Sequence, residues 1–228
     1  MRALVAAAVA AVACLVLPSV AGATNECRGL QVCVPVAGPW VVVPTARTLP
    51  RPHVEFQLAC PKGYIVGGLD AELSDRRIDL AFLGTMGAPV NPGVSTSANV
   101  VFVGMYVGEG ARAASFRPHI GCMPASGGGS RTPTALVFPP GKPLVRRVRN
   151  AVVRPGTRTV TRACAAGERL VGGTHAIAFS TQPDARLVAL VRAKQSYKGD
   201  RAVVRVTRGF GDPATAFVQV AALCAGGK

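Results

Sequence analysis

Aromatic side chains are scarce in this chain of 228 residues: one Trp, three Tyr and eight Phe make up 5% of it. That scarcity argues against a surface that reads nucleic-acid bases by stacking, and against the aromatic platforms of sugar-cleaving grooves. Histidine occurs three times and no G-x-S-x-G elbow is present, so a nucleophilic hydrolase has little to build on. No cysteine has the C-x-x-C or C-x-x-H neighbour that metal sites use. The Gly-Gly pairs lack the strand–loop–helix setting and the lysine of a phosphate-cradling loop. After Leu17 no segment is apolar enough to cross a bilayer. Acidic residues are missing altogether between Glu109 and Glu168, a stretch that holds ten basic ones, seven of them between Lys142 and Arg162.

What is present begins with a leader. Arg2, an apolar run from Ala3 to Leu17, Pro18 and the small-residue exit Ala21-Gly22-Ala23 follow the order of a secretory signal peptide. Residues 1–23 are therefore expected to be removed, leaving an exported chain from Thr24 with no transmembrane segment. That mature chain carries 25 Lys and Arg against 11 Asp and Glu, a net charge of +14. It keeps six cysteines, Cys27, Cys33, Cys60, Cys122, Cys164 and Cys224. An even number in an oxidising compartment reads as a disulfide framework.

Two stretches repeat one another. "CPKGYIVGG" from Cys60 is echoed by "CAAGERLVGG" from Cys164, and the match extends to "NVVFVGMYV" with "AVVRVTRGF" and to "SFRPHIGC" with "AFVQVAALC". Cys60 to Cys122 spans 62 positions and Cys164 to Cys224 spans 60. Aligning the Gly-Gly pairs inserts one residue in the second copy and sets Asp70 against His175. An internal duplication follows, and it selects the pairings Cys60–Cys122 and Cys164–Cys224, with a short Cys27–Cys33 loop. Val54, Phe56 and Leu58 alternate with polar neighbours, the period of a half-buried strand. With 18 Pro and 26 Gly as punctuation, the fold class expected is all-β, a disulfide-stapled β-sandwich built from two related copies. "DARLVALVRA" fits a short helix or a strand. The organisation expected is 24–53 (N-terminal strands with a small Cys loop), 54–124 (first repeat), 125–158 (linker and basic strand) and 159–228 (second repeat).

The motif C-x-x-G, V-G-G and a distant closing Cys, over residues 56–124 and 160–226, resembles a repeat of secreted bacterial proteins. Members usually have three glycines where this chain has two followed by Leu69 or Thr174. The resemblance implies a small exported β-sandwich and no catalytic residues.

Three groups are candidates for chemistry. His175, Ser180 and Asp184 lie near one another, but residues five apart on a strand face opposite ways. Asp70 and Glu72 share a strand face, with Asp75, Asp79, Arg76 and Arg77 beyond, a pattern that reads as a charged turn making local ion pairs. The basic stretch offers Arg146, Arg147, Arg149, Arg154, Arg158 and Arg162, whose planar forks suit carboxylate, sulfate or phosphate. The function expected is a non-catalytic cell-surface or extracellular module, without cofactor or metal. Its partner would be an acidic extracellular glycan or cell-wall polymer rather than a specific nucleic acid. A secreted hydrolase with a site near Asp70, Glu72 or His175, and a secreted protein inhibitor, are the alternatives.

Overall fold

The computed structural model describes residues 24–46, 48–83, 98–110, 113–125, 144–211 and 213–226. The expected leader at 1–23, and the glycine-rich stretch after Ala125, lie outside them. The apolar alternation becomes strands β1 (Val34–Ala37), β2 (Trp40–Val43), β3 (His53–Ala59), β4 (Tyr64–Leu73), β5 (Ile78–Leu83), β6 (Asn99–Tyr106) and β7 (Ala114–Pro124). The second half adds β8 (Val145–Val153), β9 (Gly156–Ala163), β10 (Glu168–Phe179), β11 (Val191–Lys198), β12 (Arg201–Arg208) and β13 (Ala216–Gly226). One short helix, α1 (Ala185–Ala189), precedes β11. The segment that fitted either structure is thus both in turn. Asp184 caps the helix by accepting from Leu187 N at 2.8 Å, and the residues from Val191 onward, which alternate between half-buried and exposed, extend.

A long antiparallel sheet runs β4-β7-(β1, β2)-β10-β13-β8. β1 and β2 lie end to end along one edge of β7, and β2 joins the two halves through Val41↔Ala178 and Trp40↔Phe179. Two three-stranded sheets, β3-β6-β5 and β9-β12-β11, cover it. The same strand order therefore occurs twice, with β8 holding beside β13 the place that β1 and β2 hold beside β7.

Because β2 and β10 pair antiparallel, the second unit enters the shared sheet inverted, and its small sheet packs on the opposite face. The cores record this. Val41, Val43, Ala176 and Ala178 belong to the first core with Phe56, Phe102 and Phe116. Their neighbours Val42, Ile177 and Phe179 face the second, with Val160, Val204 and Val218. Each fully buried Phe contributes roughly 1.5–3 kcal/mol.

The bridges form as the spacing required: Cys60–Cys122, Cys164–Cys224 and Cys27–Cys33. The first two tie the end of a small-sheet strand, β3 or β9, to the last main-sheet strand of the same unit, β7 or β13, with Cα atoms 5.7 Å apart in both. Next to each lies the turn that the repeated glycine serves. Tyr64 N donates to Pro61 O and Glu168 N to Ala165 O, with Gly63 at φ +87° and Gly167 at +81°. Position i+2 of a type II turn requires that sign.

The ladders correct the alignment of the Gly-Gly pairs. Register shifts fall between Val66 and Gly68 and between Leu170 and Gly172, so Gly67 corresponds to Val171 and Gly68 to Gly172, with nothing inserted. Asp70, opposite His119, then corresponds to Thr174, opposite Ala221. His175 matches Ala71. The Gly-Gly of the first unit has a local cause: a Cβ at Gly68 or Gly121 would overlap the backbone carbonyl of Glu26. The Cys27–Cys33 loop lies on that glycine platform, anchored by Asn25 N to Asp70 Oδ2 at 2.6 Å.

Candidate functional site

The basic stretch becomes β8, the following turn and β9, and its six arginines diverge. Arg146 and Arg147 are neighbours on one strand and so point to opposite faces. Arg146 pairs with Glu55 of β3 and donates to Thr174 Oγ1 at 2.9 Å, its side chain only 14% exposed. Arg147 grips Glu168 with two nitrogens, Nε to Oε2 at 2.6 Å. That fork, with a further bond from Ala165 N, holds the Glu168 carboxyl down at about 2. Arg149 donates to Thr161 O and Arg158 to Val152 O, which closes the open side between β8 and β9. Arg154 is exposed in the turn, and Arg162 is half-buried. These residues stitch strands together more than they form one exposed row.

The candidate catalytic groups are also engaged. His175 Nδ1 contacts Gln195 Oε1 at 2.8 Å beneath β11. Ser180 accepts from Thr215 N and Asp184 caps α1, so the three do not converge. Asp70 accepts from Asn25 and Ala71 backbone nitrogens. Glu72 shares its face and meets buried His119 at 2.8 Å and Arg117 at 3.5 Å. Asp75 and Arg77 form the expected local ion pair, closed by two side-chain bonds; Arg77 lowers the Asp75 carboxyl well below the usual carboxylate range. Cys164, Glu168 and Cys224 cluster tightly, but the two sulfurs are bonded to each other and leave no thiolate for a metal.

A different surface stands out. β11 and β12 form a hairpin over Gly199-Asp200, with Gly199 at φ +54°, as a two-residue hairpin turn with glycine first demands. Ala202, Val204 and Val206 fill the second core, so Arg201, Val203, Arg205 and Thr207 point outward. Their partners complete four rows across the sheet: Arg192–Thr207–Thr157, Lys194–Arg205–Thr159, Ser196–Val203–Thr161 and Lys198–Arg201–Ala163. Rows are about 7 Å apart and strands about 5 Å apart. Arg192, Lys194, Lys198, Arg201 and Arg205 are all exposed. None has an acidic or hydrogen-bonding side-chain partner among the described residues.

Two arguments separate this face from ordinary surface charge. Lys194 opposes Arg205 and Lys198 opposes Arg201 directly, and like charges so placed cost stability. Charge that shields a sheet edge from aggregation accounts for Arg192, Lys194 and Lys198 on the edge strand β11, but not for Arg201 and Arg205, which lie on the central strand β12. The corresponding face of the first unit carries Asp79, Ala81 and Leu83 beside Met105, Val103 and Val101, so the fold does not demand cations there. That face instead forms a mostly apolar groove of about 350 Å³. A larger cavity, about 700 Å³, opens at the Lys198–Arg201 end of the basic face, between the turns at 164–167 and 199–200.

The signal for this face was in the sequence. In "RAKQSYKGDRAVVR" the basic residues at 192 and 194, and at 201 and 205, keep one parity on each side of a two-residue Gly-Asp turn. Basic residues are denser at 142–162, but there they do not share one exposed face. No family model, curated protein or solved structure matches this chain.

Proposed function

We propose that this protein is an exported, non-catalytic β-sandwich module that binds an extracellular polyanion through the outer face of β9-β12-β11. The observation that carries the reading is the set of five exposed cations without acidic partners among the described residues, in a position that the other unit fills with neutral and acidic residues. Arg192, Arg201 and Arg205 supply forks for sulfate, carboxylate or phosphate, and Lys194 and Lys198 supply point charges. Together they produce a positive potential that concentrates an anionic chain before contact. Three disulfides support an oxidising, extracytoplasmic setting. The repeated strand order, bulge and bridge support descent of the two units from one ancestral copy.

The test is binding to heparin as the salt concentration is varied. Each neutralised charge on a densely charged polymer contributes a little under one unit to the slope of log K against log salt. The triple variant Arg192→Ser, Lys194→Ser, Arg205→Ser should therefore bind weakly, with a slope shallower by about 2.5. An unchanged slope would remove the face from the account. Turnover of an ester, glycan or peptide, abolished by Asp70→Asn or His175→Ala, would instead establish a hydrolase.

A further inference from the structure

The face is not uniform. Its cations occupy β11 and β12, while β9 contributes a column of hydroxyls, Thr157, Thr159 and Thr161, in register beside them. Thr157 Oγ1 lies 3.0 Å from Thr207 Oγ1. Thr159 sits exposed next to Arg205, and Thr161, half-buried, next to Val203. The third row, Ser196–Val203–Thr161, carries no charge. It separates the Lys194–Arg205 pair from the Lys198–Arg201 pair by two rows, about 14 Å. No aromatic side chain lies in any row, so nothing there can stack on a base.

A surface made only for charge density would place cations in every column. Here one column offers neutral groups that both donate and accept, and the charge along the strands is interrupted. A ligand that fits must present anions on one side and hydroxyls on the other, with uncharged units between its charges. We infer, resting on the polyanion reading above, that the ligand is an acidic polysaccharide, a sulfated or uronic-acid glycan lying along the strands. Its anionic groups meet Arg192, Lys194, Arg205, Lys198 and Arg201, and its sugar hydroxyls meet the threonine column. A continuous phosphate chain or a duplex nucleic acid uses the cations and leaves the threonines unused.

The experiment separates the two levels. The disulfide-bonded protein is titrated at one ionic strength with heparin, polygalacturonate, inorganic polyphosphate and duplex DNA. The same series is run on Thr159→Val with Thr161→Val, a near-isosteric change with good strand propensity, and on the triple cation variant. The threonine variant should lose about ten-fold in affinity for both glycans, with polyphosphate and DNA unchanged. The cation variant should lose all four. Equal binding of all four probes by the threonine variant and the parent would overturn the glycan assignment while leaving the basic face standing. So would tighter binding of polyphosphate or DNA than of either glycan by the parent. A cation variant that binds every probe like the parent would overturn the face itself. Matching melting temperatures confirm that either variant is folded.

Discussion

Replacing Arg146 with Met should cost this protein more than replacing any of the exposed arginines. Arg146 belongs to the second unit and Glu55 to the first, and their side chains are 14% and 13% exposed. Thr174 completes the cluster, its hydroxyl accepting from Arg146 and lying 3.3 Å from Glu55 Oε2. Met preserves the apolar stem but strands a nearly enclosed carboxylate, and breaking a buried pair from one side costs about 3–5 kcal/mol. His53 Nε2, 3.5 Å from the other Glu55 oxygen, relieves part of this, which favours the lower end. At about 2–4 °C per kcal/mol for a chain of this size, the melting temperature should fall by roughly 6–12 °C. The double variant Arg146→Met with Glu55→Leu should recover most of the loss, since apolar replacement of a whole buried pair is often neutral. Thermal unfolding of parent, single and double variants forms the assay. A single variant melting within 2 °C of the parent would refute the reasoning, as would a double variant no better than the single.

Three further outcomes follow from the same contacts. Glu168 is held at about 2, below its ordinary 4.5, so the Arg147 fork stabilises the fold above pH 4.5 and that contribution fades as pH falls through 2; the stability gap between parent and Arg147→Ala should shrink over that window in urea titrations, and a constant gap would contradict it. Gly68→Ala forces a methyl group into the Glu26 carbonyl, at a cost of about 1–3 kcal/mol; urea midpoints should drop and the Cys27–Cys33 loop should become protease-sensitive, and unchanged values would show that the loop does not sit there. Removing the 62-residue bridge with Cys60→Ser and Cys122→Ser should lower stability by roughly 4 kcal/mol, read as a shift in the denaturation midpoint with the other two bridges intact.

Strand content and bridge pairing were legible because both leave periodic marks: alternation at Val54, Phe56 and Leu58, and two cysteine spacings that differ by two residues. Residues 170–173 misled for a physical reason. The bulge absorbs one residue at Gly67 and at Val171, and glycine is needed at Gly68 only because a backbone from another segment arrives there. Matching glycine to glycine therefore shifted the register by one and set Asp70 against the wrong residue. The arginines at 146 and 147 could not be assigned to faces without knowing that Glu55 and Glu168, 91 and 21 residues away, wait on opposite sides of β8. The cationic face was readable in principle, since parity across a two-residue hairpin needs no tertiary information. The rule for it is to follow alternation through the turn rather than count charges per window. What local pattern does not carry is the inversion of the second unit, which follows from the single antiparallel contact between β2 and β10.

The most direct measurement compares two variants that remove equal charge. One carries Arg192→Ser, Lys194→Ser and Arg205→Ser on the outer face of β9-β12-β11; the other carries Arg149→Ser, Arg154→Ser and Arg158→Ser at the β8–β9 edge. Each is eluted from heparin by a salt gradient beside the parent. The face variant should elute at much lower salt, and the edge variant close to the parent. Coincident elution of the two variants would mean that binding follows net charge alone, and the assignment of a polyanion site to this sheet would fall.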